Sequence, residues 1–222
     1  MSGKEEAKKE QEKKVPPEKE RTFVYTLLRV IACIGVHTIF PVKYYHKERY
    51  ELNAPYITMS NHQSACDPII LAYPCKKYEV RFVGKKELNL NKFVEKVLAK
   101  LHMITVDRHN SDMAAMRLCA KTLRDGYVLG IFPEGTRHHE GQMEQIESGT
   151  SMIVLRSKAP IIPIYIDRKL SLFKVTHLVV GDPVPADDLL AEGINTETCE
   201  KMNERLRETY RTMIREYNGK KS

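Results

Sequence analysis

Residues 60–68 read SNHQSACDP, an imidazole and a carboxylate five positions apart between an apolar run and a proline. Imidazole titrates near neutral pH. A carboxylate that holds one ring nitrogen leaves the other free to take a proton, so the pair suits general-base work. Spacing alone does not single it out, because H-x-x-x-x-D occurs three times: His62–Asp67, His102–Asp107 and His177–Asp182. Context must decide. His102 precedes MITV and His177 lies inside VTHLVVG, so both read as members of strands or as entering them. There, residues five apart project to opposite faces of the pleat, and a core or edge histidine with a strand-terminal acid is expected. His62 instead follows the β-rich YITMS, and Asp67 stands before Pro68 and IILA, where a helix starts with proline in its first turn. On one helix the two side chains would point about 140° apart. They meet only if the backbone turns between them, as a strand-to-helix loop does. Ser60, Asn61 and Ser64 offer short polar groups to brace that loop. On the residues alone, a helix-capping Asp67 beside a loop histidine remains the plainer alternative.

Such a loop requires a sheet that ends just before it. Six short β-rich runs read as strands: YITMS (56–60), VRFVG (80–84), MITVD (103–107), YVLGIF (127–132), IIPIYI (161–166) and VTHLVV (175–180). Helical patterns fall near 68–73, 91–101, 111–125 and 147–157, with a long final one near 195–218. In 111–125, Ser111 offers a cap, Ala114 and Leu118 belong to an apolar face, and Gly126 ends the pattern. This alternation predicts a single α/β domain with a mixed, largely parallel sheet flanked by helices. Functional residues in such folds gather where strands run out into loops.

Upstream, residues 1–21 are low-complexity and mixed in charge, with Pro16 and Pro17 to interrupt a helix, and read as a disordered tail. In the segment 22–42, thirteen of the eighteen residues 23–40 are apolar, while Thr22, Thr26, Arg29, Cys33 and His37 form one narrow polar stripe. An arginine inside a span costs about 2.5–3.5 kcal/mol on insertion scales. The segment therefore reads first as an amphipathic, membrane-associating helix lying in the interface, with a core-packed helix and a true span as the other readings. No small-residue cleavage site follows it, and no removed leader is expected. The expected organisation is a charged tail (1–21), the membrane-associating segment (22–42) and one folded domain (43–222).

The formal net charge is +7 over 222 residues, with a pI of about 9.1 and a mean hydropathy of −0.43 that argues against a polytopic membrane protein. The basic excess lies on the folded part. Residues 76–100 hold eight Lys/Arg against three Glu and 201–222 seven against three, whereas 182–200 holds six acids and no base. Anionic lipid headgroups or a phosphorylated substrate fit this pattern. A nucleic-acid partner is not expected, since interleaved aromatics and a recognisable binding module are lacking. Five cysteines (33, 66, 75, 119 and 199) form no C-x-x-C and read as reduced thiols, with no zinc signature and no metal site.

NHQSACDP followed far downstream by FPEGTR (132–137) resembles the first and third motifs of the PlsC-type glycerolipid acyltransferases, the 1-acyl-glycerol-3-phosphate acyltransferases. ITVDR (104–108) resembles the second motif, APIIPIYI (159–166) the fourth, and GKKEL (84–88) a common stretch before the second. Four motifs in the family's order, across roughly 25–185, are far more specific than any one. The chain departs from the family at His102 and Met103, where a glycine is common, and at ESG (147–149), where a lysine often precedes the glycine.

The resemblance implies transfer of a fatty acyl group from a thioester to the free hydroxyl of lysophosphatidate, forming phosphatidate. His62 would be the base and Asp67 its orienter, with the lipid alcohol in the place a serine takes in a hydrolase triad. No acyl-enzyme is then required, although Ser64 and Cys66 lie inside the motif. In the third motif, Arg137 offers a planar fork for phosphate, Gly135 a close backbone approach and Thr136 a hydroxyl. Glu134 would hold an arginine or accept from a glycerol hydroxyl. Arg108 is a second phosphate ligand, and Lys85 and Lys86 add positive potential. No cofactor is expected beyond acyl-CoA or acyl-acyl carrier protein as co-substrate. The expected partners are membrane lipids, lysophosphatidate and that acyl carrier, at the cytoplasmic face of the cell membrane. Glycerol 3-phosphate or another lysolipid is the alternative acceptor, and a non-catalytic lipid-binding protein of the same fold the rival from a different class.

Overall fold

The computed structural model describes residues 23–50, 52–85, 102–106, 113–135 and 143–219. In chain order its elements are α1 (Phe23–Ile39), β1 (Val42–Tyr45), a 3-10 turn (Lys47–Tyr50), β2 (Ile57–Ser60), α2 (Asp67–Ala72), β3 (Val80–Lys85) and β4 (Ile104–Val106). There follow α3 (Met113–Arg124), β5 (Val128–Ile131), α4 (Ser148–Ser157), β6 (Ile161–Ile166), β7 (Thr176–Val180), α5 (Asp187–Ala191) and α6 (Thr196–Gly219). Among the described residues the strands form one sheet in the order β1-β7-β6-β2-β5-β3-β4. The five strands from β6 to β4 are parallel. β7 turns back antiparallel on β6, and β1 runs alongside β7. The sheet is thus mixed and largely parallel, as the alternating pattern predicts.

The unbroken apolar runs are the strands with both faces covered. β2, β5 and β6 are buried at every position, whereas β7 alternates buried and half-buried residues. One core, with Tyr56, Ile70, Leu71, Tyr78 and Ile164, lies on the face that carries α1 and α2. The other, with Met59, Cys119, Leu129, Leu155, Met202 and Leu206, lies under α3, α4 and α6. α6 follows a helical apolar period, burying Thr198, Met202, Leu206, Tyr210 and Met213. It starts with a reciprocal cap: Asn195 Oδ1 accepts the Thr198 N–H and Thr198 Oγ1 accepts the Asn195 N–H, both at 2.9 Å. Gly126, at φ +83°, ends α3 and donates to Leu123 O at 3.0 Å.

Two elements depart from the expectations. Residues 42–45 form β1, too short and too mixed in polarity for the sequence pattern to mark, and α5 is a single turn and a half. The expected helix near 91–101 and the Ser111 cap lie outside the described residues.

The polar stripe of α1 points inward. Arg29 Nη1 donates to Ala72 O and Tyr73 O, each at 3.1 Å, serving carbonyls at the C-terminal end of α2. His37 Nε2 meets the Tyr44 hydroxyl at 2.9 Å, and Tyr25 and Cys33 are buried. Phe23, Leu27, Val30, Ile31, Ile34 and Ile39 face outward instead. The stripe is therefore the docking face of the helix, and its apolar side is exposed. No helix among the described residues is long and apolar enough to cross a membrane.

Candidate active site

Three neighbouring parallel strands, β6, β2 and β5, end at one edge of the sheet, and the loops that leave them carry the candidate residues. Asn61, the first residue past β2, is fastened across to β6: its amide donates to Ile166 O at 2.9 Å and its Oδ1 accepts the Ile166 N–H at 2.8 Å. The Gln63 side chain donates to the same Ile166 carbonyl at 2.9 Å. With both neighbours pinned, the His62 side chain projects from a fixed backbone.

The chain then turns into α2, and the turn delivers Asp67 to His62. Asp67 Oδ2 lies 2.9 Å from His62 Nδ1 and also accepts the backbone N–H groups of Gln63 (2.6 Å) and Ser64 (2.7 Å). The Asp67 side chain is 1% exposed and that of His62 18%. Asp67 Oδ2 already accepts two backbone N–H groups, so it serves as acceptor toward the ring and Nδ1 as the donor. With Nδ1 turned to the carboxylate, Nε2 is the ring nitrogen directed away from Asp67. Asp67 is the first residue of the helix but not its cap: Cys66 holds the N-cap position without a side-chain bond, and the Asp67 carboxylate turns back to the ring and the loop amides. Ser64 Oγ accepts the Cys66 N–H at 3.2 Å and so braces the turn. Burial first, and then the Asp67 carboxylate, push the Cys66 thiol up, which keeps its sulfur protonated and a poor nucleophile at neutral pH.

The loop after β5 closes on the same imidazole. Phe132 stacks on His62 with ring centres 4.1 Å apart, and Phe82 backs Phe132 at 5.8 Å. The stack explains a glycine inside a buried strand: a Cβ on Gly130 would come within 2.3 Å of the Phe82 ring. Buried Glu134 accepts the His62 backbone N–H through Oε2 at 3.1 Å. Gly135 donates to Phe132 O at 3.0 Å and sits at φ +68°, where a side chain is strained. Pro133 O accepts the Glu147 N–H at 2.8 Å, tying the start of α4 to this turn.

His62, Asp67, Glu134 and Gly135 are therefore assembled at one place. Arg108, Thr136 and Arg137 lie outside the described residues, as does Lys86; Lys85 is the last residue of β3. Glu134 grips the histidine loop, a contact its place in the sequence does not suggest.

The model of the family described as "Acyltransferase" matches residues 41–167, more than half of the chain and the whole of this constellation. The chain belongs to the acyltransferase family. Among curated proteins, the chain is 30% identical over 175 residues to 1-acyl-sn-glycerol-3-phosphate acyltransferase of Bacillus subtilis, covering 75% of this chain and 87% of that protein. It is 24% identical over 207 residues to the enzyme of the same name from Streptococcus pneumoniae, covering 90% and 76%. The crystal structure of the 1-acyl-sn-glycerophosphate acyltransferase PlsC from Thermotoga maritima shares the fold. Its TM-score is 0.68 at 20% identity, with 98% of this chain and 84% of that one covered.

Three contributors to this acyltransferase site escape a reading of the sequence. Gln63 and the Ile166 carbonyl act through a link more than a hundred residues long, which local spacing does not show. Phe132 had a visible signal, an aromatic residue heading the third motif, but nothing in the chain order brings it to the imidazole. Of the other two His–Asp spacings, Asp107 lies outside the described residues, and His177 and Asp182 turn to different partners. His102 pairs with Glu79 at 2.7 Å, His177 with Asp167 at 3.1 Å, and Asp182 with Arg49 at 3.0 Å.

Proposed function

We propose that the chain transfers a fatty acyl group from a thioester to the free hydroxyl of 1-acylglycerol 3-phosphate, giving phosphatidate. The observation that carries this reading is the His62–Asp67 contact, which commits Nδ1 to the carboxylate and leaves Nε2 for a substrate, on a ring stacked against Phe132 of the third motif. His62 Nε2 takes the proton of the attacking hydroxyl while its oxygen bonds to the thioester carbonyl carbon. Asp67 supports the imidazolium that forms. As the tetrahedral intermediate collapses, the C–S bond breaks and the proton passes to the departing thiolate. The lipid supplies the nucleophile, and a protonated Cys66 is not needed as one. Glu134 keeps the base and the third-motif turn in register. Arg137, two residues past Gly135, and Arg108 bind the acceptor phosphate.

The acceptor is a lipid, and the outward apolar side of α1 supports docking at a bilayer surface rather than insertion across it. The site then works at the cytoplasmic membrane face, with acyl-CoA or acyl-acyl carrier protein as donor. The test is a product assay with purified protein, both donors, and lysophosphatidate, glycerol 3-phosphate and a zwitterionic lysolipid as acceptors. Phosphatidate formed in step with thiol release, fastest with lysophosphatidate, is the expected result. Thiol release with no acylated acceptor contradicts the reading.

A further inference from the structure

The connection between β6 and β7 exposes three large apolar side chains, Leu172, Phe173 and Val175, with Phe173 92% exposed. Of the thirteen such side chains among the described residues, six lie on α1 and these three on the hairpin. The two elements adjoin: Thr176 donates to Pro41 O at 2.9 Å and pairs with Val42, so the returning limb of the hairpin lies beside the exit from α1. Leu170 packs into the core on the α1 face of the sheet. The hairpin also leaves the C-terminal end of β6, the edge that holds His62. Lys169 and Lys174 flank the apolar tip and have no ion partner among the described residues.

The base of the hairpin is fastened firmly. Asp167 N–H donates to His177 O at 3.1 Å, and Asp167 Oδ1 accepts the His177 N–H at 2.8 Å. Asp167 Oδ2 accepts from Arg168 Nε at 3.1 Å and from the Tyr217 hydroxyl at 2.8 Å, and it lies 3.1 Å from His177 Nδ1. Tyr217 comes from the far end of α6. A water-exposed phenyl ring on a connection tied down at both limbs calls for an apolar surround that the fold itself does not provide.

We propose that residues 168–175 form a second lipid-contacting element: Leu172 and Phe173 enter the acyl region of an anionic bilayer while Lys169 and Lys174 meet its headgroups. The inference rests on the reading of the substrate as a bilayer lipid. A single surface helix leaves the domain free to roll about the helix axis. A second contact at the sheet edge removes that freedom and presents the His62 loop to the membrane. The flanking cations complement anionic headgroups, to which each well-placed lysine contributes about 1 kcal/mol.

The chain contains no tryptophan, so Phe173→Trp in the full chain is a single reporter at an exposed position. Ile194→Trp, at an exposed apolar residue before the opposite end of α6, is the control. With vesicles of phosphatidylcholine and phosphatidylglycerol, Phe173→Trp emission shifts to shorter wavelength and brominated acyl chains quench it, while the control shows neither. Lys169→Glu with Lys174→Glu weakens binding to these vesicles roughly tenfold or more and leaves binding to neutral vesicles unchanged. Vesicle-bound protein whose Trp at 173 stays water-like and unquenched overturns the proposal, and so does protein that does not bind vesicles. A blue shift that depends on protein concentration without lipid also overturns it, and assigns the tip to a protein contact. Turnover of the same variants on detergent-dispersed lysophosphatidate is read separately: its absence speaks against the acyl-transfer reading alone, and the quenching decides the hairpin.

Discussion

Two imidazole–carboxylate pairs lie along the same edge of the sheet, at 2.9 Å for His62–Asp67 and 3.1 Å for His177–Asp167. Distance does not separate them; their surroundings do. Asp67 spends its bonds on the ring and on two backbone amides of one tight turn, leaving the other ring nitrogen uncommitted, while Phe132 of the third motif stacks on the face of the ring. Asp167 is shared among an arginine, a tyrosine and the neighbouring strand. The Tyr217 hydroxyl also contacts His177 Nδ1 at 2.6 Å, so the second ring is enclosed in a fastening. Burial first, and then Asp167, push the Tyr217 hydroxyl up, so it stays protonated and donates to the carboxylate. A pair of this kind acquires a chemical role from what its open nitrogen faces.

The sharpest way to break this contrast is to remove each ring. His62→Ala lowers the turnover number by about 10²–10⁴-fold, the usual share of a general base, with lysophosphatidate affinity retained. His177→Ala leaves turnover on detergent-dispersed substrate near that of the parent; equal losses in the two would erase the distinction. Next in size, Arg137→Ala weakens acceptor binding by about 1.5–3 kcal/mol, the worth of hydrogen bonds to a charged group, and leaves acyl-donor binding less affected. Steady-state constants for both substrates measure the difference. Gly130→Ala displaces the Phe82 ring, and through Phe132 disturbs the His62 ring. A loss of about 1–3 kcal/mol in stability by thermal unfolding, with lowered turnover and unchanged acceptor affinity, is expected. Cys66→Ala has the smallest effect: the thiol is held protonated, so turnover persists and thiol alkylation fails to inhibit.

Much of this was legible in the chain. All six strands expected from β-rich runs are present, because central strands covered on both faces leave unbroken apolar sequence, as in IIPIYI. The SNHQSACDP loop was legible because a strand end, a polar turn and a helix-starting proline all act locally. The inward turn of the α1 stripe was not, since which side of an amphipathic helix meets the protein depends on its partner. Here that partner is a helix whose last carbonyls need donors, and Arg29 supplies them. Nor did spacing reveal that His177 reaches Asp167 rather than Asp182. The real partners are ten positions apart on the hairpin, and the antiparallel return of β7 brings them together.

The place of the acceptor hydroxyl decides whether His62 is the base. A crystal structure with lysophosphatidate bound measures this directly. It should place the free hydroxyl within about 3.2 Å of His62 Nε2, with the Asp67 contact intact and the phosphate against the 132–137 turn. A hydroxyl held away from that nitrogen, or an acyl group bonded to Cys66 or Ser64, would contradict it.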